Sequence, residues 1–386
     1  MGIERKGVLS VRFALLAGCV LLGARADAQH YTQTNLVSDQ MGLATHQDLN
    51  LVNAWGLSRS STSPWWVANN GTGTSTLYNS SGVAQTLIVT IPSASGSDPG
   101  VPTGTVFNGT KAFELAPNMP ARFLFVTEDG TVSGWNPGVK ATDAVIMATD
   151  PNAVYKGAAI ASWRGNWYLY VTNFAKRRID VFDSSFHPVH GGGDDHNALR
   201  NDHGEGDHHD GGRFQDDRIP RSFSPFNVQN IGGDLYVTFA KRDPATNDDV
   251  AGPGFGYVDV FSPGGRLLRR LEHGPWLNAP WGLALAPSDF GAFSHNLLVG
   301  QFGSGEIAAY DVATGAFLGK VLKETGNEVL AIDGLWALGF GNGGTSPNAA
   351  GPLNTLFFTA GPVDESQGLF GTLTAVTAEQ LLGNGQ

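Results

Sequence analysis

The chain is poor in cysteine, in charge and in long apolar runs, and each shortage excludes something. Of 386 residues only Cys19 is a cysteine, so no internal disulfide can form. Only 15% of residues are charged and the formal net charge is −11. With no basic stripe to meet a phosphate backbone, nucleic acid is excluded as a partner. Beyond the first 28 residues no apolar run is long enough to span a bilayer. No long stretch repeats apolar residues at helical spacing, which argues against a helical bundle. The sequence also has no Gly-x-Ser-x-Gly elbow, no phosphate loop and no His-Glu-x-x-His.

Glycine and short apolar segments are abundant. There are 52 Gly and 20 Pro beside 41% hydrophobic residues, and the apolar runs are short, regular and separated by turn residues. That pattern predicts an all-β protein. Residues 1–28 are set aside as a signal peptide. Arg5, Lys6 and Arg12 precede the apolar run Phe13 to Leu22, and Ala26-Asp-Ala28 supplies the small-x-small site that puts Gln29 first in a secreted or periplasmic mature chain. Leu16-Ala-Gly-Cys19 also matches a lipobox, and on that alternative the protein is a lipoprotein anchored through Cys19.

Residues 29–386 read as a single domain built of repeats. Asn53-Ala-Trp-Gly-Leu57 returns as Ala279-Pro-Trp-Gly-Leu283 and, more loosely, as Gly334-Leu-Trp-Ala-Leu338. After each copy come a second apolar run, a Gly-rich turn and a third run ending in an aromatic. Six such units fit between Asn53 and the C-terminus, each with three clear strands and a weaker fourth. Four-stranded units of about 40–50 residues mark the blades of a β-propeller. Six blades are expected, or seven if two units have been merged. Tyr31-Thr-Gln-Thr-Asn-Leu-Val37 precedes the first unit, and the sixth lacks a fourth strand. Pairing the two would close the ring and remove its open edge. The repeated Gly is expected where innermost strands crowd together, and Trp55, Trp281 and Trp336 are expected to wedge between neighbouring blades.

The pair Leu169-Tyr-Val-Thr-Asn173 and Arg178-Ile-Asp-Val-Phe-Asp183 resembles an NHL-type repeat, as does Val299-Gly-Gln with Gly305-Glu-Ile-Ala-Ala-Tyr-Asp311. The opening Tyr31-Thr-Gln-Thr-Asn-Leu-Val-Ser-Asp39 with Asn53-Ala-Trp-Gly-Leu57 resembles an uncharacterised family of secreted bacterial propeller proteins. That resemblance implies a fold and an export route, and no activity.

Propellers bind ligands at one end of the central channel, at loops joining blades and loops joining second and third strands. The positions just after second strands are Asn69, Glu128, Asn173 and Gln301, and near the starts of inner strands lie Asn53, Lys156, Asn278 and Asp333. One carboxylate with several amides could hold Ca²⁺, and gluconolactonase-like propellers, which this set resembles in residue type, hold such a metal at the axis. Ordinary turn and cap roles account for the same residues.

His187 to Asp217 breaks the repeat. It contains His187, His190, His196, His203, His208 and His209 with eight acidic residues and almost no apolar side chains. Such a segment reads as a disordered insertion. Its imidazoles could bind Zn²⁺, Cu²⁺ or Ni²⁺, although no spacing matches a structural zinc site. Two functions remain open at this stage. One is a monomeric binding or scaffold propeller for a protein, a polysaccharide or a small molecule. The other is a Ca²⁺-dependent hydrolase or lyase.

Overall fold

The innermost strands decide the architecture. The computed structural model describes Gly2 and residues 30–96, 98–189 and 213–379; the expected leader apart from Gly2, Cys19 included, and His190, His196, His203, His208 and His209 lie outside them. Six innermost strands, Ala54–Ser58, Pro102–Phe107, Tyr155–Trp163, Phe223–Ile231, Pro280–Leu285 and Leu335–Phe340, each begin a separate antiparallel sheet. The protein is all-β, a six-bladed β-propeller. Among the described residues no helix is long and apolar enough to cross a membrane.

The recurring motif has a backbone cause. Asn53, Ala279 and Gly334, which open its three copies, have φ of 46°, 47° and 63°, in the left-handed region. Just after it, the inner strand gains one residue on its neighbour, between Ala54 and Leu57, between Pro280 and Leu283, and between Leu335 and Leu338. The other three blades carry the same bulge, at Thr103-Gly104, Lys156-Gly157 and Phe226-Asn227. A bulge re-aims the side chain that it carries. Register therefore equates Lys156 and Phe226 with the repeated tryptophans. The second bulge residue approaches the next blade. A Cβ on Gly56 would lie 2.2 Å from the Thr103 carbonyl oxygen, and one on Gly282 would lie 2.5 Å from that of Trp336.

Trp55, Trp281 and Trp336 do not wedge separately between blades. They meet one another. Trp55 stacks on Trp336 at 3.6 Å, Trp281 lies edge-on to both at 6.4 and 6.1 Å, and Phe302 stacks on Trp336 at 3.9 Å. Blades 1, 5 and 6 supply the indoles, and Phe174 and Phe226 of blades 3 and 4 join the same buried cluster. Where the inner strands converge, the channel is filled by an aromatic plug.

Closure follows the expected route. His30–Ser38 pairs antiparallel with Leu369–Ala375, from Tyr31 opposite Ala375 to Ser38 opposite Leu369. Tyr31 is fully buried and its hydroxyl donates to the Phe290 carbonyl at 2.9 Å. The first and last segments of the ring thus share a sheet. Among the described residues blades 1, 2, 4 and 5 have four strands, whereas blade 3 has three, the last at Arg178–Phe182.

Both described ends of the expected 187–217 insertion belong to the fold. Val189 donates its amide to the Val181 carbonyl. Phe214 is buried against Tyr170 and Phe261 at 5.7 and 5.8 Å, and the Asp216 carboxylate takes the Arg270 guanidinium. An apolar Phe and a paired Asp at that end are what a solvated low-complexity reading overlooks.

Candidate functional site

The starts of the inner strands form one end of the channel, and a charged cluster sits there against the plug. At its centre is Lys156, which holds in blade 3 the bulge position that tryptophan holds in three other blades. Its side chain is 2% exposed and its ammonium lies 4.8 Å from the centre of the Trp55 ring, with Phe174 and Phe226 at 5.8 and 6.0 Å. An ammonium over aromatic faces is held by the ring quadrupole. It donates to Glu128 Oε1 at 2.5 Å, and Asp248 Oδ1 lies 3.9 Å away. Burial alone would lower the Lys156 pKa, but Glu128, Asp249 and Asp248 together raise it. The lysine is therefore a fixed cation.

Amides connect this pair to a second carboxylate. Asn70 Nδ2 donates to Glu128 Oε2 at 2.8 Å, and Asn53 Nδ2 donates to Asn70 Oδ1 at 3.2 Å and to Glu365 Oε2 at 2.6 Å. Asn53 Oδ1 accepts the Trp336 indole N–H at 2.9 Å, so the network rests on the plug. Glu365 is delivered by an unusual turn. Val363, Asp364 and Glu365 all lie in the left-handed region, with φ of 56°, 49° and 64°. None is glycine, and a β-branched residue there is strained. The turn is held by the Val363 amide donating to Asp333 Oδ2 at 2.9 Å and the Ser366 hydroxyl donating to the Val363 carbonyl at 2.6 Å.

Asp248 and Asp249 come from the loop joining Asp234–Lys241 to Gly256–Phe261. The Arg242 Nη1–H to Asn247 Oδ1 bond of 2.6 Å stiffens it. Asp249 Oδ2 is buried and has no hydrogen-bond partner among the described residues. Burial pushes the Asp249 carboxyl up to about 7, opposed by Lys156 and reinforced by Glu365 and Asp248. Burial likewise raises Glu365, against the Asn53 bond and Lys156. Trp55 Nε1, in the same neighbourhood, is also buried without a partner among the described residues. Glu128 and Asp248 thus lie within 3.9 Å of the Lys156 ammonium, and Asp249 and Glu365 feel its charge from farther off.

Of the residues expected from sequence, Asn53, Glu128 and Lys156 come together, and Asp333 supports the Glu365 turn from behind. The others serve the blades. Asn69 Nδ2 donates to Thr74 and Thr76 hydroxyls at 3.1 and 3.0 Å. Asn173 Nδ2 donates to Asp180 Oδ2 at 2.7 Å. Asn278 Oδ1 accepts the Gly252 amide at 2.6 Å, and Gln301 Oε1 accepts the Asn278 amide at 2.9 Å. Sequence reasoning missed Asn70, Asp248, Asp249 and Glu365. The run Asn247-Asp-Asp249 inside a blade was the one local signal.

His187 is exposed, its side-chain exposure 79%, beside Asp183 at 3.5 Å. Among the described residues no three His, Cys, Asp or Glu side chains converge to hold a metal ion. The donor set expected for an axial Ca²⁺ does not fit one, because Asn69, Asn173 and Gln301 turn into their own blades and Glu128 is taken by Lys156.

Solved structures that resemble this chain at a TM-score of 0.48 or 0.49 include a streptogramin B lyase, 10% identical with 90% of this chain and 97% of that one covered, and a protein of unknown function from Bacteroides thetaiotaomicron, 9% identical with 90% and 76% covered. A gluconolactonase of Xanthomonas campestris is 17% identical at a TM-score of 0.34, with 66% and 82% covered. No family model matches the sequence. Two relatives come from Acanthamoeba polyphaga mimivirus: Uncharacterized protein L690 is 32% identical over 360 residues, 91% of this chain and 87% of its own, and Uncharacterized protein R648 is 31% identical over 346 residues, 88% and 78%. These relatives are viral, so bacterial origin and secretion do not follow from them. By that identity over nearly its whole length, the chain belongs to the family of these two uncharacterized mimivirus proteins.

Proposed function

We propose that this is a ligand-binding propeller whose acidic channel end takes a small organic cation bearing an ammonium or guanidinium group. The observation that carries the proposal is Asp249 Oδ2, buried without a partner among the described residues, where Glu128, Asp248, Asp249 and Glu365 share the single ammonium of Lys156. An unpaired buried acceptor costs free energy until a donor reaches it. A cationic donor would supply both the missing bond and the missing charge. The strained Val363–Glu365 turn supports the reading, since strain of this kind gathers at binding sites. The proposal takes residues 1–28 as an export signal, so binding would take place outside the cytoplasm.

The alternative of a Ca²⁺-dependent hydrolase or lyase is the weaker reading. Ca²⁺ needs six to eight oxygens around one point, and here Lys156 stands among the carboxylates. Calorimetric titration with putrescine, agmatine and n-butylammonium tests the binder, with butyrate as the anionic control. Amine binding that weakens more than about tenfold in Asp249→Asn and in Glu365→Gln is expected. Absence of amine binding, or binding indifferent to both substitutions, would overturn the proposal.

A further inference from the structure

The inner strands run away from the acidic cluster and end around a second mouth with the opposite character. There a cavity of 980 Å³ opens between blades 1, 2, 3, 4 and 6, within the size range of small-molecule sites. A small space of 20 Å³ touching Trp281, Leu57 and Leu338 lies beneath it, so the aromatic plug separates this mouth from the acidic one. Phe107, Ile160, Leu338 and Phe340 form apolar wall. Among the described residues no lining residue is acidic, and two are cationic, Arg59 and Lys111. In a chain of net charge −11 that is a local inversion of sign.

Arg59 is held in place, and Lys111 stands on a fastened loop. The Arg59 guanidinium donates to the Phe340 carbonyl at 2.6 Å and the Gly341 carbonyl at 2.9 Å, with a longer contact of 3.5 Å to Ser60. It lies 5.4 Å from the centre of the Trp65 ring and has no carboxylate partner among the described residues. A guanidinium has five N–H donors, so two remain for a ligand. Lys111 is carried by a loop that Asn108 fastens, its Nδ2 donating to the Ala112 and Ala121 carbonyls at 2.8 and 2.9 Å. Trp167 lines the same cavity and is 40% exposed, an indole face open to solvent where a flat ligand can stack.

We propose that this second mouth binds a small organic anion with a flat apolar body, its acid group toward Arg59 and Lys111 and its body against Trp167 and the apolar wall. The sign of the lining charge excludes the cations that suit the other end. The probe is 8-anilinonaphthalene-1-sulfonate, an aromatic sulfonate, followed by fluorescence titration against the full chain. Thioflavin T, a flat aromatic cation, serves as the opposite charge. One sulfonate per chain is expected to bind, about tenfold more weakly in Lys111→Glu and in Trp167→Ala. Both residues are exposed, so both variants should keep the parent melting transition. Lys140→Glu makes the same change in net charge away from the cavity and should bind as the parent does. The proposal fails if the sulfonate does not bind. It fails equally if Lys111→Glu and Lys140→Glu lose affinity alike, if neither cavity variant changes it, or if thioflavin T binding falls in parallel.

Discussion

Replacing Asp249 by Asn should stabilise the protein at alkaline pH and leave it nearly unchanged in acid. The Asp249 carboxyl has an ordinary value of 3.8 and is held at about 7 in the folded chain, first by burial and then by Glu365 and Asp248. Between those values the native state binds a proton that the unfolded chain has released. Stability from this group is therefore fully present below about pH 4 and is lost as pH rises through 7. About three pH units at ~1.4 kcal/mol each gives an upper bound of ~4 kcal/mol, and water reaching the loop reduces it toward ~2 kcal/mol. Asn keeps the shape of the side chain and cannot ionise. Urea unfolding of parent and variant at pH 4, 6 and 8 should show a gap that opens with pH, reaching about 2–4 kcal/mol at pH 8 in favour of the variant. A gap that stays constant, or that closes as pH rises, would refute the assignment of a buried, unpartnered carboxyl. Saturating putrescine should narrow the gap at pH 8, since a bound cation stabilises the ionised form only in the parent.

Lys156→Ala removes the cation of a buried pair and should cost about 3–5 kcal/mol in thermal or urea unfolding. Part of that loss should return in millimolar n-propylammonium and none of it in propionate; equal effects of the two salts would contradict a specific cation site. Deleting residues 30–38 should abolish the single cooperative melt, and Tyr31→Ala alone should cost about 3–5 kcal/mol, because the blade 6 sheet loses the strand that closes it. A truncated chain melting with the parent would disprove closure by that strand. Replacing residues 190–212 with a short Gly/Ser linker should leave the melting temperature almost unchanged while removing most Zn²⁺, Cu²⁺ and Ni²⁺ binding at neutral pH. The intact chain should release the same metals below about pH 6, where imidazole protonates; calorimetry showing equal binding by the two chains would end the expectation of a metal-binding loop.

The blade pattern and its closure were legible because they rest on short-range regularities. Alternating apolar runs, the spacing of Asn53-Ala-Trp-Gly-Leu57 and its copies, and an unmatched strand at Tyr31 each follow from residues near one another in the chain. The same periodicity explains why Asn53, Glu128 and Lys156 were found, since each sits at a fixed offset in a repeat. It also explains the false inclusions. Asn69, Asn173, Asn278 and Gln301 occupy equivalent offsets, but their amides are satisfied within their own or the adjoining blade.

By itself the sequence determined a ring of similar units, six or seven in number, and within a few residues where each inner strand begins, because strand period is a local backbone preference. Only the tertiary structure decided what fills the centre. Trp55, Trp281, Trp336, Phe226 and Lys156 hold one register position, but whether they face neighbouring blades or one another depends on closing the ring. Closure also brings Glu365, 237 residues after Glu128 in the numbering, into a network with it through Asn53 and Asn70. Charge at the axis is a sum over blades. No single repeat carries it, and the burial that shifts Asp249 exists only once the ring has closed.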